Sequence, residues 1–248
     1  MTSIRGLARA TVVTLAMLLV AAALVGLVYA ETPYTPDEDP ERLVPDVEVS
    51  ETDAGYVLSD GPVTDDAVGV IFYPGARVAP ESYLPHLAPL VAERDVIVIV
   101  PEMPLNFAVF DTGAADEAMV ANPHIERWYV GGHSLGGAMA CEYADGERVE
   151  GLVLFASYCA SDLSDGEISG LSVLGTADSV IDAERERDSR VNLPPNTEVV
   201  EIEGMNHAQF GAYGPQRGDN PPEITDEEAR ERLSTVLIDW VEPVTEPR

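Results

Sequence analysis

Lysine is absent from the 248 residues: all 14 basic side chains are arginine, set against 44 acidic ones. Two of those arginines and no acid precede residue 31, so the remainder holds 12 basic and 44 acidic groups, a formal −32. A surface so short of positive charge cannot neutralise phosphates. That excludes a nucleic-acid binder and docking to anionic lipid through a basic patch. Histidine (four) and cysteine (two) are also scarce. They make no H-E-x-x-H, no clustered Cys/His set and no calcium-loop pattern, so no metal is expected. With neither a G-x-G-x-x-G nor a P-loop, no nucleotide cofactor is expected either, and the cofactor expectation is none. What the chain does have is apolar material: 46% of residues are hydrophobic and occur in recurring runs, which argues against intrinsic disorder.

The first of those runs is N-terminal. Arg5 and Arg9 precede residues 10–30, which carry no charge. As a helix this run is about 31 Å long, enough for a hydrocarbon core of roughly 30 Å. Acids follow at Glu31, Glu38 and Asp39, so the arginines should stay inside and the rest be exported. Residues 1–30 therefore read as a membrane anchor with the remainder outside the cell. Cleavage near Ala30, after the small residues of Val28-Tyr29-Ala30, would instead give a secreted protein. Residues 31–46, with four prolines among acids, read as a solvated stalk. Residues 47–241 are one domain by size, and 242–248 a tail.

Within that domain short β-branched runs alternate with helical stretches. Strands are expected at 67–73, 96–100, 128–131, 151–155, 171–174 and 198–202, with one or two antiparallel edge strands at 47–59. Helices are expected at 81–94, 108–121, 135–144, 181–190 and 226–240, the last opened by a capping box of Thr225 and Glu228. This alternation predicts a mainly parallel sheet covered on both faces, a three-layer α/β fold.

One motif lies at a strand-to-helix junction: Gly132-His133-Ser134-Leu135-Gly136, a G-x-S-x-G. Small flanking residues permit a strained turn that lifts a serine into the cleft, with the free N–H groups of the following helix aimed at the same spot. Ser134 is thus the expected nucleophile. Of the histidines, His133 sits inside the turn and should point away, while His86 and His124 read as structural or surface residues. His207 follows the last strand at the sheet's C-terminal edge, where open α/β sheets bind ligands, and is the expected base. The orienting acid should lie after the strand 171–174. Asp178 is placed there, with Asp182 as reserve. Two backbone N–H groups should hold an oxyanion: that of Leu135, after the nucleophile, and that of Ala76 (Arg77 second) in the loop after the first central strand. Arg77 could instead meet a substrate carboxylate. Residues 103–110 and 209–218 should rim the site, with Met103 and Phe107 as candidate substrate contacts and plain core as their alternative fate. The implied partner is a small-molecule acyl substrate.

Several motifs carry a resemblance over residues 56–241: Phe72-Tyr73-Pro74-Gly75-Ala76, Met103-Pro104-Leu105-Asn106, Gly132 to Ala140, Gly175-Thr176-Ala177-Asp178, Asn206-His207-Ala208-Gln209-Phe210-Gly211 and Tyr213-Gly214-Pro215-Gln216-x-Gly218-Asp219. The chain resembles the small α/β-hydrolases of the family-5 type, related to dienelactone hydrolases and esterases. That resemblance implies an α/β-hydrolase fold and a serine hydrolase acting on an acyl substrate, most readily a carboxylic ester; thioesters, amides and peptides use the same triad, and a non-catalytic tethered binding domain is a different-class alternative. Dienelactone hydrolases proper use cysteine, so their particular reaction does not carry over. Only about 15 residues separate the strands at 155 and 171, too few for the cap domain of many relatives. The acidic, lysine-free composition is similar to that of proteins from salt-loving archaea, whose carboxylates hold water in molar salt. Cys141 and Cys159 read as two buried thiols, with a disulfide feasible because Cys141 lies seven residues past Ser134 on the same helix face and Cys159 follows the adjacent strand.

Overall fold

The computed structural model describes residues 4–36, 38–44, 46–52, 54–61, 67–146 and 148–241, with side chains on the first helix from residue 14 onward. The tail expected at 242–248 lies outside the described residues. A long helix, α1 (Ile4–Ala30), precedes the edge strands β1 (Glu48–Thr52) and β2 (Gly55–Ser59). Then come β3 (Val68–Tyr73), α2 (Leu84–Glu93), β4 (Val96–Val100), α3 (Ala114–Ala121), β5 (Arg127–His133), α4 (Leu135–Ala144), β6 (Gly151–Phe155), β7 (Ser169–Gly175), α5 (Ala183–Ser189), β8 (Glu198–Ile202) and α6 (Asp226–Trp240). The eight strands form one sheet in the order β1-β2-β4-β3-β5-β6-β7-β8, parallel from β4 to β8 and antiparallel at the β1–β2–β4 edge.

The central strands are apolar throughout because both faces are covered. On β3 and β4, Val68, Val70, Phe72, Val96, Val98 and Val100 face the layer of α2 and α6, whereas Ile71, Tyr73, Ile97 and Ile99 face that of α3 and α4. Each side chain so buried contributes roughly 1.5–3 kcal/mol, which holds the sheet between two helical layers. The chain runs from β3 outward to β4, then crosses back to β5 on the other side of β3. That reversal opens a crevice at the C-terminal ends of β3 and β5, the position where such sheets take ligands.

Four local departures from the sequence pattern have physical causes. The helix expected over 108–121 is broken: a 3₁₀ turn at Ala108–Phe110 precedes α3, with Gly113 at the junction. The helix expected from residue 81 starts as a 3₁₀ turn, Pro80–Tyr83, before α2. Asp182 does not enter its helix but caps it, accepting the Glu184 and Arg185 amides at 3.0 and 3.1 Å. At α6, Thr225 caps the Glu228 amide at 3.2 Å, but the Glu228 carboxylate turns to Arg232 at 2.6 Å, leaving the capping box half made.

The acidic residues 31–46 do not stand clear of the domain. Tyr34 bridges to Val78, and Val44 is buried in the core beside α2. Buried apolar contacts outweigh the proline-rich composition here. On α1, Leu15, Met17, Leu18, Leu19, Val20 and Val25 are all more than half exposed. Among the described residues no helix is long and apolar enough to cross a membrane, and the described side chains of α1 cover residues 14–30.

Candidate active site

Ser134 lies between β5 and α4 at φ 53°, ψ −122°. A side chain in this region costs about 1–3 kcal/mol, so its surroundings must impose it. They do so by contact and by hydrogen bonds. A Cβ at Gly132 would strike the Gly136 backbone, and one at Gly136 would strike the Tyr73 and Pro74 carbonyls. The Ser134 amide donates to the Phe155 carbonyl at 2.9 Å, and the Ser157 hydroxyl donates to the Ser134 carbonyl at 2.7 Å. The close approach at Gly136 also presses the start of α4 onto the exit of β3. Leu135 follows the serine and Ala76 follows the exit of β3, and among the described residues neither amide donates a hydrogen bond.

His207 follows β8, and Asp178 follows β7. Both side chains are 1% exposed, and His207 Nδ1 stands 2.8 Å from Asp178 Oδ2. A carboxylate at that distance accepts a proton donor, so Nδ1 carries the hydrogen and Nε2 keeps a free lone pair. The other carboxylate oxygen accepts the Val180 and Ile181 amides at 2.8 and 3.0 Å, fixing the acid's rotamer.

His133 does not point out of the site's neighbourhood as the sequence suggested. Its ring is buried with its centroid 4.5 Å from that of His207, and stacks on Phe210. The Tyr83 hydroxyl accepts the Gly75 amide at 2.8 Å and shares a hydrogen bond with His133 Nδ1 at 2.9 Å. Burial and then the neighbouring His207 hold His133 well below the ordinary histidine value, so it is neutral. Burial likewise raises the Tyr83 phenol, which keeps its proton. This tyrosine had no sequence signal. Its contact with His133 spans 50 residues.

Asp219 is the second residue that sequence reasoning left without a role, although it ends a quoted motif. One oxygen accepts the Ala208 amide at 2.9 Å, and the other accepts the Ser179 and Asn220 amides at 3.2 and 2.9 Å. It therefore ties the loop of Asp178 to the loop of His207.

Two expected substrate contacts lie elsewhere. Met103 is 8% exposed and belongs to the core with Ile71, Tyr73 and Ile99. Arg77 faces the N-terminal helix: its Nε donates to the Tyr29 carbonyl at 2.7 Å, its Nη2 reaches the Thr32 carbonyl, and its guanidinium lies 3.6 Å from the Tyr29 ring centroid. A cation at a helix C-terminus satisfies orphan carbonyls and complements the dipole, which accounts for its direction. Phe107 is half-buried, edge-on to Phe110. Cys141 of α4 and Cys159 beyond β6 form a disulfide and are not the two free thiols first read. No helix or strand occupies 156–168, so no cap covers the site from there.

A parallel sheet with a strained serine turn at its switch point and a buried His–Asp pair at the same edge defines the α/β-hydrolase class of protein. The sequence of residues 69–231 matches the signature of the alpha/beta hydrolase family, and the chain belongs to that family and is a hydrolase. Solved structures share the fold at low identity. EstE1, a thermophilic carboxylesterase cloned from a metagenomic library, is 16% identical with a TM-score of 0.53, covering 79% of this chain and 89% of that one. Est1E from Butyrivibrio proteoclasticus is 12% identical, TM-score 0.53, covering 78% and 98%. A predicted CIB-like hydrolase from Thermoplasma acidophilum is 15% identical, TM-score 0.57, covering 78% and 99%. No curated protein matches in sequence.

Proposed function

We propose that the protein is a serine hydrolase that cleaves a carboxylic ester. The observation that carries this reading is the buried His207–Asp178 pair, 2.8 Å apart, at the edge where Ser134 sits in its strained turn. His207 Nε2 takes the Ser134 hydroxyl proton as Oγ attacks the ester carbonyl carbon. Asp178 holds the imidazole tautomer and stabilises the imidazolium. The Leu135 and Ala76 amides receive the oxyanion. The proton passes to the departing alcohol, and water deprotonated by His207 then releases the acid and restores Ser134. The esterases among the structures sharing this fold support an ester over an amide.

The same proposal sets the protein outside the cell on a single N-terminal anchor. The exposed apolar surface of α1 and the Cys141–Cys159 disulfide, a bond of oxidising compartments, support it. The formal −32 beyond residue 30 and the lack of lysine support a protein adapted to molar salt. Fluorophosphonate labelling in molar KCl tests the chemistry. Wild type should label and Ser134→Ala should not, while an ester, thioester and peptide panel should show ester turnover highest. Folded wild type that resists labelling would make this a binding domain.

A further inference from the structure

The C-terminal end of α1 is fastened to the rim of the active site, with no free linker between them. The Asn106 side chain donates to the Ala30 carbonyl at 2.9 Å. The Arg77 amide donates to the Asn106 carbonyl at 2.7 Å, and the Arg77 guanidinium holds the carbonyls of Tyr29 and Thr32. Tyr34 then pairs with the backbone at Arg77 and Ala79, closing the joint from the other side. Leu105, Asn106 and Arg77 are all non-glycine residues at φ between 55° and 59°, so this joint is held in a conformation that local preference opposes.

The rim loop at this joint, residues 104–110, is apolar and exposed: Leu105 is 37%, Val109 50% and Phe110 60% accessible. Its 3₁₀ turn at Ala108–Phe110 packs on α4, the helix that begins beside Ser134. Ala30 ends the uncharged run of α1, so the Asn106 contact lies where a spanning helix would leave the hydrocarbon. The half-exposed Tyr29, stacked under Arg77, is the kind of side chain that settles at that boundary.

Resting on the anchor reading above, we propose that the 104–110 loop sits in the lipid–water interface and that the site takes its ester from the bilayer. The substrate is then an amphiphilic ester dissolved in lipid. The bilayer face is a neutral one, because a domain of formal −32 is repelled by anionic headgroups.

The test uses the full chain reconstituted in phosphatidylcholine vesicles in molar KCl. Flotation of the vesicles reports the anchor separately: protein left at the bottom overturns the anchor reading and the proposal with it. For protein that floats, an environment-sensitive dye on Val109→Cys should shift to the blue and be quenched by brominated lipid, whereas the same dye on Val199→Cys, at the far edge of the sheet, should not. In parallel, Val109→Asp should lower the ratio of rates on a vesicle-dissolved long-chain ester over water-soluble p-nitrophenyl acetate at least tenfold. A floating protein with an unquenched dye at 109 and an unchanged ratio overturns the proposal while leaving the anchor in place.

Discussion

At the scale of single residues, the proposed mechanism separates groups that do chemistry from groups that hold them. Asp178 and Asp219 are both aspartates fixed by backbone amides, but only Asp178 reaches the imidazole. Asp178→Asn should therefore lower kcat by about 10³–10⁴, because the wrong tautomer is stabilised. Asp219→Asn loses the charge that gathers amides from both loops, and a misplacement on the order of 1 Å costs about 10²-fold. We expect kcat on p-nitrophenyl esters to fall by about 10–100-fold with KM nearly unchanged; an unaltered kcat would leave Asp219 with no part in positioning. His86 gives a pH prediction. Its burial, then Arg230, lower it to about 4, and its Nε2 donates to the Gln209 carbonyl. The unfolded chain binds a proton near pH 6.5 that the folded chain refuses until about pH 4. Its contribution is thus complete above pH 6.5 and is lost as pH falls to 4, on the order of 3 kcal/mol. Denaturant midpoints should drop between pH 7 and 4.5, and His86→Gln should flatten that slope.

At the scale of elements, the strands and helices were legible because both faces of the central strands are buried. Runs such as 96–100 therefore needed no register information. The helix expected over 108–121 breaks at the polar Asp111-Thr112-Gly113, between the 3₁₀ turn and α3. The joint of Arg77, Asn106 and Ala30 had no sequence signal at all, since it joins segments 76 and 29 residues apart through backbone carbonyls. The disulfide ties α4 to the loop after β6 across 18 residues. Reducing it should cost about 3 kcal/mol by the loop-entropy account. The urea midpoint with and without reductant measures this, and Cys141→Ser should abolish the difference.

At the scale of the whole molecule, the charge governs the conditions under which anything else can be measured. The 44 acids outnumber the 14 arginines three to one, so self-repulsion opposes the compact state at low ionic strength. Molar KCl shortens the screening length to roughly 3 Å and should relieve it. The thermal midpoint is expected to rise steadily between 0.1 and 3 M KCl, and activity to fall on dilution. A midpoint independent of salt would contradict a halophilic surface.

The sequence by itself determined the three-layer fold, the serine turn and the loops that carry Asp178 and His207, because each rests on local pattern: apolar period, small residues at a strained turn, and loops after successive strands. It placed Asp178 in the loop that meets His207, but it did not determine that the His133 ring lies against that of His207, that Arg77 faces a helix end, or that the two cysteines join. Those outcomes depend on which loops the sheet order brings together, and strand order is set by packing between segments far apart in the chain.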